Sequence, residues 1–243
     1  MIYNALIANP AKKVALLIDP DNHTDASLVK TLSVAGTASV DFILVGGSLV
    51  SRPIGHTVEI IKNKTSVPVL LFPGSLLQLS DKADGILLLS LISGRNPDYL
   101  IGNHVLAANF LKKSGLEIIP TGYILIDGKS VSSVEYISNT RPIPVEKPDI
   151  VVATALAGEM LGHKLIYLEA GSGADRRISE QVVAEVKKNI GIPLMVGGGI
   201  RNPEDVLNLY RAGADIIVIG TAAEEDPHIL SKMAAMREKY VER

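Results

Sequence analysis

The sequence predicts a (β/α)8 barrel, an α/β fold in which eight parallel strands alternate with helices. Two observations predict this fold. Short apolar, β-branched runs recur between longer helical patterns, and glycine-rich turns follow several of these runs. The length of 243 residues agrees with it, because such barrels commonly hold about 250 residues in one domain. We therefore expect residues 1–243 to form a single TIM-type barrel domain.

Eight apolar runs are the predicted strands. Most are almost continuously apolar, as is typical of parallel strands that are covered on both faces. Eight is also a number of strands that closes into a filled barrel. The runs are Val14–Ile18, Phe42–Val45, Val67–Phe72, Ile86–Leu91, Ile118–Ile126, Leu165–Leu168, Leu194–Val196 and Ile216–Ile219.

Helix boundary signals lie between the predicted strands. Asn96-Pro97-Asp98 predicts the start of a helix that Gly115 ends, and Asn202-Pro203 predicts the start of one that Gly213 ends. The alternation weakens twice. The stretch 74–82 is too short for a full helix, so the helix between the third and fourth strands is predicted to be reduced. The polar stretch 127–147 is longer than most loops, and a lid, an interface or neither role stays open for it.

The composition excludes several kinds of chemistry. There are no cysteines, which excludes disulfides, thiolate nucleophiles and Cys-ligated metal sites. The five histidines show no zinc-binding spacing, and His104 is expected to be packed or solvated on a helix. No lysine ends a strand, which argues against Schiff-base chemistry. The net charge of −2 without a basic stripe argues against a nucleic-acid partner.

The N-terminal residues lack a basic segment followed by an apolar core. The longest apolar runs are much shorter than the roughly 20 residues of a membrane-spanning helix. These features predict a cytoplasmic protein.

Glycines follow the seventh and eighth strands. Gly197-Gly198-Gly199 precedes a predicted helix, and Gly220-Thr221 precedes another. Glycine lets backbone N–H groups approach an anion closely, and the loops after these two strands are the usual phosphate site of the fold. Such glycines also make tight turns without any ligand. Two such loops on adjacent strands favour the phosphate site.

Polar side chains follow other strands. Asp19 ends the first strand and Ser48 follows the second, so together they could hold a hard cation such as Mg2+. Asp19-Pro20-Asp21 is equally suited to an ordinary turn. Glu169 ends the sixth strand beside Tyr167, where it could be a general base, an acceptor for a substrate hydroxyl, or a carboxylate on the rim. Apolar residues near the third and fourth strands could line a groove, although ordinary core packing is the simpler interpretation. They are Leu70, Leu71, Phe72 and the run 87–92.

These residues together resemble the geranylgeranylglyceryl phosphate synthase family, also called the PcrB-like family. The resemblance extends nearly from end to end, and the run Tyr-Leu-Glu-Ala-Gly-Ser-Gly is its most specific part. The matching stretches are 17–21 (Leu-Ile-Asp-Pro-Asp), 45–48 (Val-Gly-Gly-Ser), 167–174 (Tyr-Leu-Glu-Ala-Gly-Ser-Gly-Ala), 196–201 (Val-Gly-Gly-Gly-Ile-Arg) and 220–222 (Gly-Thr-Ala).

The resemblance implies a Mg2+-dependent prenyltransferase that forms an ether bond between sn-glycerol 1-phosphate and geranylgeranyl diphosphate. It implies that Asp19 and Ser48 bind the metal and that Glu169 and Tyr167 are catalytic. Tyr123 is a secondary candidate for the glycerol or prenyl pocket. The resemblance further implies a homo-oligomer with at most peripheral membrane contact. The implied glycerol phosphate site is Tyr167, Leu168, Glu169, Ala170, Gly171, Ser172, Gly173, Gly198, Gly199, Gly220 and Thr221.

Three departures from the family pattern are informative. Members with shorter chains have a lysine where this chain has Leu17, and Glu-Tyr-Ser-Gly where it has Glu169-Ala170-Gly171-Ser172-Gly173. The chain therefore resembles the second group of longer members. Thr221 replaces an asparagine that most members have, and its hydroxyl can still bond to a phosphate.

Three alternatives stay open. The first is another phosphate-binding barrel enzyme, an isomerase or lyase. The second is an FMN-binding oxidoreductase, whose loops after the seventh and eighth strands are similar. The third is a non-catalytic barrel that binds prenyl lipids, against which the coincidence of Asp19, Ser48 and Glu169 at strand ends argues.

Overall fold

A computed structural model describes residues 1–8, 11–38 and 40–240. It shows a closed barrel of eight parallel strands that pair in sequence order. The last strand closes the barrel by pairing with the first, with Val14 opposite Ile217 and Leu16 opposite Ile219. The predicted fold class is thus confirmed.

Every predicted strand is present, with shifts of at most two residues at its ends. The strands are β1 (Lys13–Ile18), β2 (Phe42–Val45), β3 (Val69–Leu71), β4 (Gly85–Leu91), β5 (Glu117–Leu125), β6 (Leu165–Glu169), β7 (Leu194–Gly197) and β8 (Ile216–Ile219).

Helices follow the strands and surround the barrel. They are α1 (Ile2–Ala8), α2 (Asp25–Thr37), α3 (Ile54–Lys64), α4 (Asn103–Ser114), α5 (Ser133–Ser138), α6 (Pro148–Met160), α7 (Glu180–Asn189), α8 (Pro203–Ala212), α9 (Thr221–Glu225), α10 (Ile229–Ala234) and α11 (Met236–Lys239). Gly115 and Gly213 end α4 and α8 with positive φ angles of 75° and 113°, as the sequence predicts.

Side chains alternate along each strand between two apolar layers. Leu44 and Leu70 point into the barrel, whereas Ile43 and Leu71 pack under the helices. All four are fully buried. Because both faces of the sheet are covered, the strands are almost continuously apolar, and this pattern made them recognisable in the sequence.

Carboxylates close the N-terminal end of the barrel. Three aspartates each stand just before a strand and accept a hydrogen bond from an N–H at the start of the preceding strand, and each also pairs with a cationic side chain. They are Asp41 (from Val14, 2.8 Å; paired with Arg237), Asp84 (from Val69, 2.9 Å; paired with Lys62) and Asp215 (from Leu194, 2.8 Å; paired with Lys187). The charged groups of this end therefore serve stability, which leaves the opposite end for function.

The two weak points in the alternation are also confirmed. Between β3 and β4 only the single turn Leu76–Gln78 is helical. After β5, the long segment contains the short helix α5 and one isolated bridge between Ile126 and Ile143. Among residues 1–8, 11–38 and 40–240, no helix is both long and apolar enough to cross a membrane.

Candidate active site

The carboxylate of Glu169 lies at the mouth of the barrel, where β6 ends. The residue is only 5% exposed, and its Oε1 accepts a hydrogen bond of 2.6 Å from the N–H of Gly171. Burial raises the pKa of Glu169, while neighbouring N–H groups and the hydroxyl of Tyr167 lower it in part. A buried carboxyl with a raised pKa, held in a fixed position, has the properties of a general base.

Tyr167 lies two residues before Glu169 on β6, so its side chain points to the same side of the strand but deeper in the barrel. Its ring packs against Phe72 and Tyr123, with ring centroids 5.5 and 5.3 Å away. Its hydroxyl is buried beside Glu169 and, among the described residues, has no partner at full hydrogen-bond geometry. Gly197 leaves the space for this hydroxyl, because a Cβ there would collide with it. Tyr123, the secondary candidate for the glycerol or prenyl pocket, lies within β5.

Three glycine-rich loops meet above Glu169. The hydroxyls of Ser172, after β6, and Thr221, after β8, are 3.3 Å apart. Gly198, in the loop after β7, has a φ of +82°. A Cβ on Gly198 would collide with Glu169 Oε1 and would lie 2.8 Å from the nitrogen of Gly171. The structure thus brings together the predicted residues of all three loops.

The same corner carries a positive charge. Arg201 Nη2 lies 3.3 Å from the carbonyl oxygen of Ala174 and 3.5 Å from that of Gly173, so its guanidinium borders the loop after β6. Leu17 packs beneath Gly220, 3.6 Å from where a Cβ would be. Hydroxyls, backbone N–H groups and Arg201 therefore make this corner suitable for an anion, without a lysine at position 17.

Not every predicted residue faces this corner. The side chains of Leu168 and Ala170 are buried in the layer under the helices. The N–H of Ala170 bonds to Gly197, and that of Gly171 bonds to Glu169. Among these residues, Ser172 and Gly173 remain at the surface of the mouth. Gly199, with a φ of +68°, turns the chain towards α8.

The predicted metal residues lie beside this corner, after β1 and β2, because β1 pairs with β8. Asp19 Oδ1 accepts a hydrogen bond of 3.0 Å from the N–H of Asp21. Its Oδ2 lies against Gly47, where a Cβ would collide with it, and Ser48 is the next residue. Burial raises the pKa of Asp19, and the charge of Glu224 adds to this shift.

This arrangement suits a cation that takes most of its ligands from a substrate. Among the described residues, no group of three or more His, Cys, Asp or Glu side chains could hold a metal ion. Mg2+ is usually held by one or two carboxylates together with phosphate oxygens and water. One carboxylate and one neighbouring hydroxyl fit that pattern.

Sequence reasoning missed Gln78, which lies in the turn that replaces the helix after β3. Its side chain is buried; Oε1 accepts from the N–H groups of Gly47 and Gly74, both at 3.2 Å, and Nε2 donates to the carbonyl of Gly47 at 2.7 Å. Gln78 thereby fixes the loop that carries Ser48. No local pattern marks a single glutamine for this role.

An apolar groove opens from the mouth beside Ser48. It encloses about 860 Å³ of space, a figure that includes solvent at its open end. Its walls are formed by β4 residues, by the turn after β3 and by the inner face of α4. These residues include Phe72, Leu76, Leu79, Ile86, Leu88, Leu91, Ala107, Leu111 and Tyr123.

The reduced helix explains the groove. Only one turn follows β3, so no full helix covers the outer face of β4, where Leu88 is only partly buried. Of the predicted groove candidates, Phe72, Leu88, Leu89 and Leu91 line the groove, whereas Leu70 and Leu71 belong to the fully buried core. His104 lies on α4 as expected and borders the groove, with Nε2 3.1 Å from Ser90 Oγ.

Helix α5 covers part of the groove. Val134 and Ile137 of this helix line its upper end. Asn96 Nδ2 donates a hydrogen bond of 2.7 Å to the carbonyl of Ser138, which fastens the end of α5 to the loop after β4. The segment whose role the sequence left open thus contributes a cover.

Known proteins are similar in sequence to this chain over most of its length. The PcrB family model matches residues 6–239. The geranylgeranylglyceryl phosphate synthase of Spirosoma linguale is 48% identical over 231 residues, 94% of this chain and 92% of that protein. The protein of the same name from Zunongwangia profunda is 51% identical over 214 residues, 88% of this chain and 91% of that protein.

A solved structure has the same fold throughout. It is (S)-3-O-geranylgeranylglyceryl phosphate synthase from Thermoplasma acidophilum in complex with its substrate sn-glycerol-1-phosphate. The TM-score is 0.94 at 34% identity, and the match covers 99% of both chains.

The geometry of Gly198 yields a test of the anion corner. Gly198→Ala should weaken the binding of inorganic phosphate about tenfold, a loss of about 1.4 kcal/mol, because the added Cβ pushes apart Glu169 and the loop of Gly171. Titration calorimetry measures this affinity. Gly115→Ala is the matched control: Gly115 also has a positive φ, but nothing lies within 4 Å of its Cβ position.

Backbone strain should lower the free energy of unfolding of both variants by about 1–2 kcal/mol, which urea denaturation measures. The collision of the added Cβ should lower that of Gly198→Ala further. Only Gly198→Ala should also weaken the binding of inorganic phosphate. Equal phosphate affinity in the two variants would contradict the assignment of the corner.

Proposed function

Because this chain belongs to the PcrB family and is a prenyltransferase, we propose that it joins sn-glycerol 1-phosphate to geranylgeranyl diphosphate through an ether bond. The family expected from the sequence motifs is confirmed. One observation carries the proposal: an anion-binding corner, a buried carboxylate and a long apolar groove open onto the same mouth of the barrel.

The glycerol phosphate occupies the corner between Ser172, Gly198 and Thr221. Its phosphate accepts hydrogen bonds from the two hydroxyls and from backbone N–H groups, next to Arg201. Its glycerol part then extends towards Glu169. The bound sn-glycerol-1-phosphate of the Thermoplasma acidophilum relative supports this choice of ligand.

The prenyl diphosphate spans the two other regions. Its chain lies in the apolar groove and its diphosphate lies near Asp19 and Ser48. We propose that these two residues hold Mg2+, which neutralises the diphosphate and makes it a better leaving group. A sugar-phosphate isomerase or lyase and an FMN-dependent enzyme have no use for such a groove, so its presence favours the prenyltransferase.

The reaction exchanges one C–O bond for another. The bond between the allylic carbon of the prenyl chain and the diphosphate breaks, and the diphosphate leaves with the electron pair. The 3-hydroxyl oxygen of the glycerol forms the new bond to that carbon, and its proton passes to Glu169. The hydroxyl of Tyr167 lowers the pKa of Glu169, so this carboxylate stays ionised to a lower pH than burial alone would allow.

The decisive experiment incubates the protein with radiolabelled sn-glycerol 1-phosphate and prenyl diphosphates of several lengths. We expect a product that organic solvent extracts, formed with geranylgeranyl diphosphate and dependent on Mg2+. The absence of such a product with every chain length would overturn the proposal. A yellow protein that retains FMN would instead support the oxidoreductase alternative.

The buried carboxyl gives a prediction about pH. Because burial raises its pKa, Glu169 takes up its proton at a higher pH than an ordinary glutamate. Activity should therefore be lost as the pH falls through this raised pKa. Glu169→Gln should lower kcat roughly 100-fold, the scale on which a general base contributes, and should remove this acid limb from the profile. Near-normal turnover of the variant would exclude Glu169 from the role.

Tyr167→Phe is the matched variant, since it removes only a hydroxyl that lowers the pKa of Glu169. Its acid limb should move to higher pH, while turnover on the alkaline side of the limb is retained. An unchanged limb would show that the hydroxyl does not act on Glu169.

We further propose that two copies of the chain associate through the outer face of α4. Val105 and Leu106 of α4 are 65 and 72% exposed, and Phe110 continues the same stripe. Ile101, in the helical segment just before α4, is 60% exposed. The inner face of α4 lines the groove. A helix with large apolar side chains on both faces is stable in water when both faces are covered.

The particle mass tests this proposal. We expect the wild-type protein to have a multiple of its 25.9 kDa chain mass by light scattering, and Leu106→Glu to reduce it. Leu161→Glu is the control, because Leu161 is 76% exposed at the end of α6, away from this stripe. A monomeric wild type, or an unchanged Leu106→Glu variant, would contradict the proposal.

A further inference from the structure

Glu224 connects the loop after β8 with the loop after β1. It lies in α9, three residues after Thr221, and its carboxylate is half-buried. Asn22 Nδ2 donates a hydrogen bond of 3.1 Å to its Oε2. Asn22 belongs to the loop after β1. A side chain of the phosphate corner is therefore bound to the loop that carries Asp19.

The loop after β1 is bound on its other side as well. Asp21 accepts hydrogen bonds from the N–H groups of Ser51 and Arg52, at 2.8 and 2.9 Å. These residues follow Ser48 in the loop after β2. One continuous set of hydrogen bonds thus extends from the helix of Thr221 through residues 19–22 to the segment that follows Ser48.

The cost of this arrangement indicates that it has a role. The half-buried carboxylate of Glu224 has lost part of its hydration and accepts a hydrogen bond from Asn22 in its place. Burying a charged group is unfavourable unless it is hydrogen-bonded or paired, so its placement against the loop after β1 needs a compensating gain. Glu225, the next residue, is exposed and shows that a carboxylate at the end of α9 could have stayed in water.

We propose that Glu224 is a positioning residue that couples the two substrate sites. It holds the Asp19 loop and the Thr221 loop in one relative arrangement, so that occupation of either site favours the binding-competent form of the other. This coupling rests on the proposed function, since it assigns the phosphate ester to the Thr221 loop and the diphosphate to the Asp19 loop. It does not require Glu224 to contact either ligand.

Coupling between sites is reciprocal and can be measured without turnover. The probe pair is sn-glycerol 1-phosphate and inorganic pyrophosphate with Mg2+, titrated separately and together by calorimetry. We expect Mg-pyrophosphate to increase the affinity of the wild type for glycerol phosphate about fivefold or more, at the lower end of ordinary allosteric coupling. In Glu224→Ala this enhancement should fall to nearly one, while glycerol phosphate alone binds within about threefold of the wild type.

Three variants make the test specific. Glu224→Gln keeps an acceptor oxygen for Asn22 and should retain most of the enhancement. Asn22→Ala removes one donor and leaves the core intact, so it should reduce the enhancement even if Glu224→Ala does not fold. Glu225→Ala, the exposed neighbour, should change nothing. In steady-state assays, Glu224→Ala should raise KM for each substrate at saturation of the other more than it lowers kcat.

The outcomes separate this inference from the proposed function. A wild type that binds both ligands without mutual enhancement, or a Glu224→Ala variant that keeps the enhancement, overturns the coupling and leaves the prenyltransferase proposal intact. A wild type that binds neither ligand overturns the proposed function, and the coupling with it.

Discussion

Closure of the barrel is the constraint on which the site depends. Parallel strands that pair in sequence order bring all their C-terminal ends to one rim, and the pairing of β8 with β1 joins the two ends of the series. Residues about 200 positions apart, such as Asn22 and Glu224, thereby become neighbours. Without that closure the anion corner and the Asp19 loop would lie at opposite edges of an open sheet.

The buried carboxylate of Glu169 imposes the next constraint. An ionised group in this environment must be hydrogen-bonded, and the N–H of Gly171 satisfies this requirement. The loop after β7 must then approach without side chains, which is why Gly197 and Gly198 leave space for Tyr167 and Glu169. The glycines that first suggested phosphate binding are therefore required by the carboxylate as well. The two explanations are complementary, since the same close approach exposes N–H groups to an anion.

How much the sequence predicts depends on whether the cause is local. The strands, the helix ends at Gly115 and Gly213, and the reduced helix after β3 all have causes within a few residues, and all were predicted. The convergence of Ser172, Gly198 and Thr221 was predicted because the fold places strand ends together. Gln78 and Glu224 were not predicted, because their partners are distant in sequence and a lone Gln or Glu carries no pattern. The groove was underestimated for a similar reason: the apolar side chains of β4 are the same whether a helix covers them or not.

The reduced helix shows how one omission produces both a binding surface and a structural problem. Removing a helix uncovers the outer face of β4, which costs apolar contact but provides a surface that an apolar chain can cover. It also removes the element that would hold the loop after β2, and Gln78, buried in the single remaining turn, replaces it with three hydrogen bonds to Gly47 and Gly74. The cover α5, fastened through Asn96 and Ser138, limits the exposed part of the groove. The groove therefore exists because polar contacts at its edges keep the loops in place, while its apolar walls remain available to a ligand.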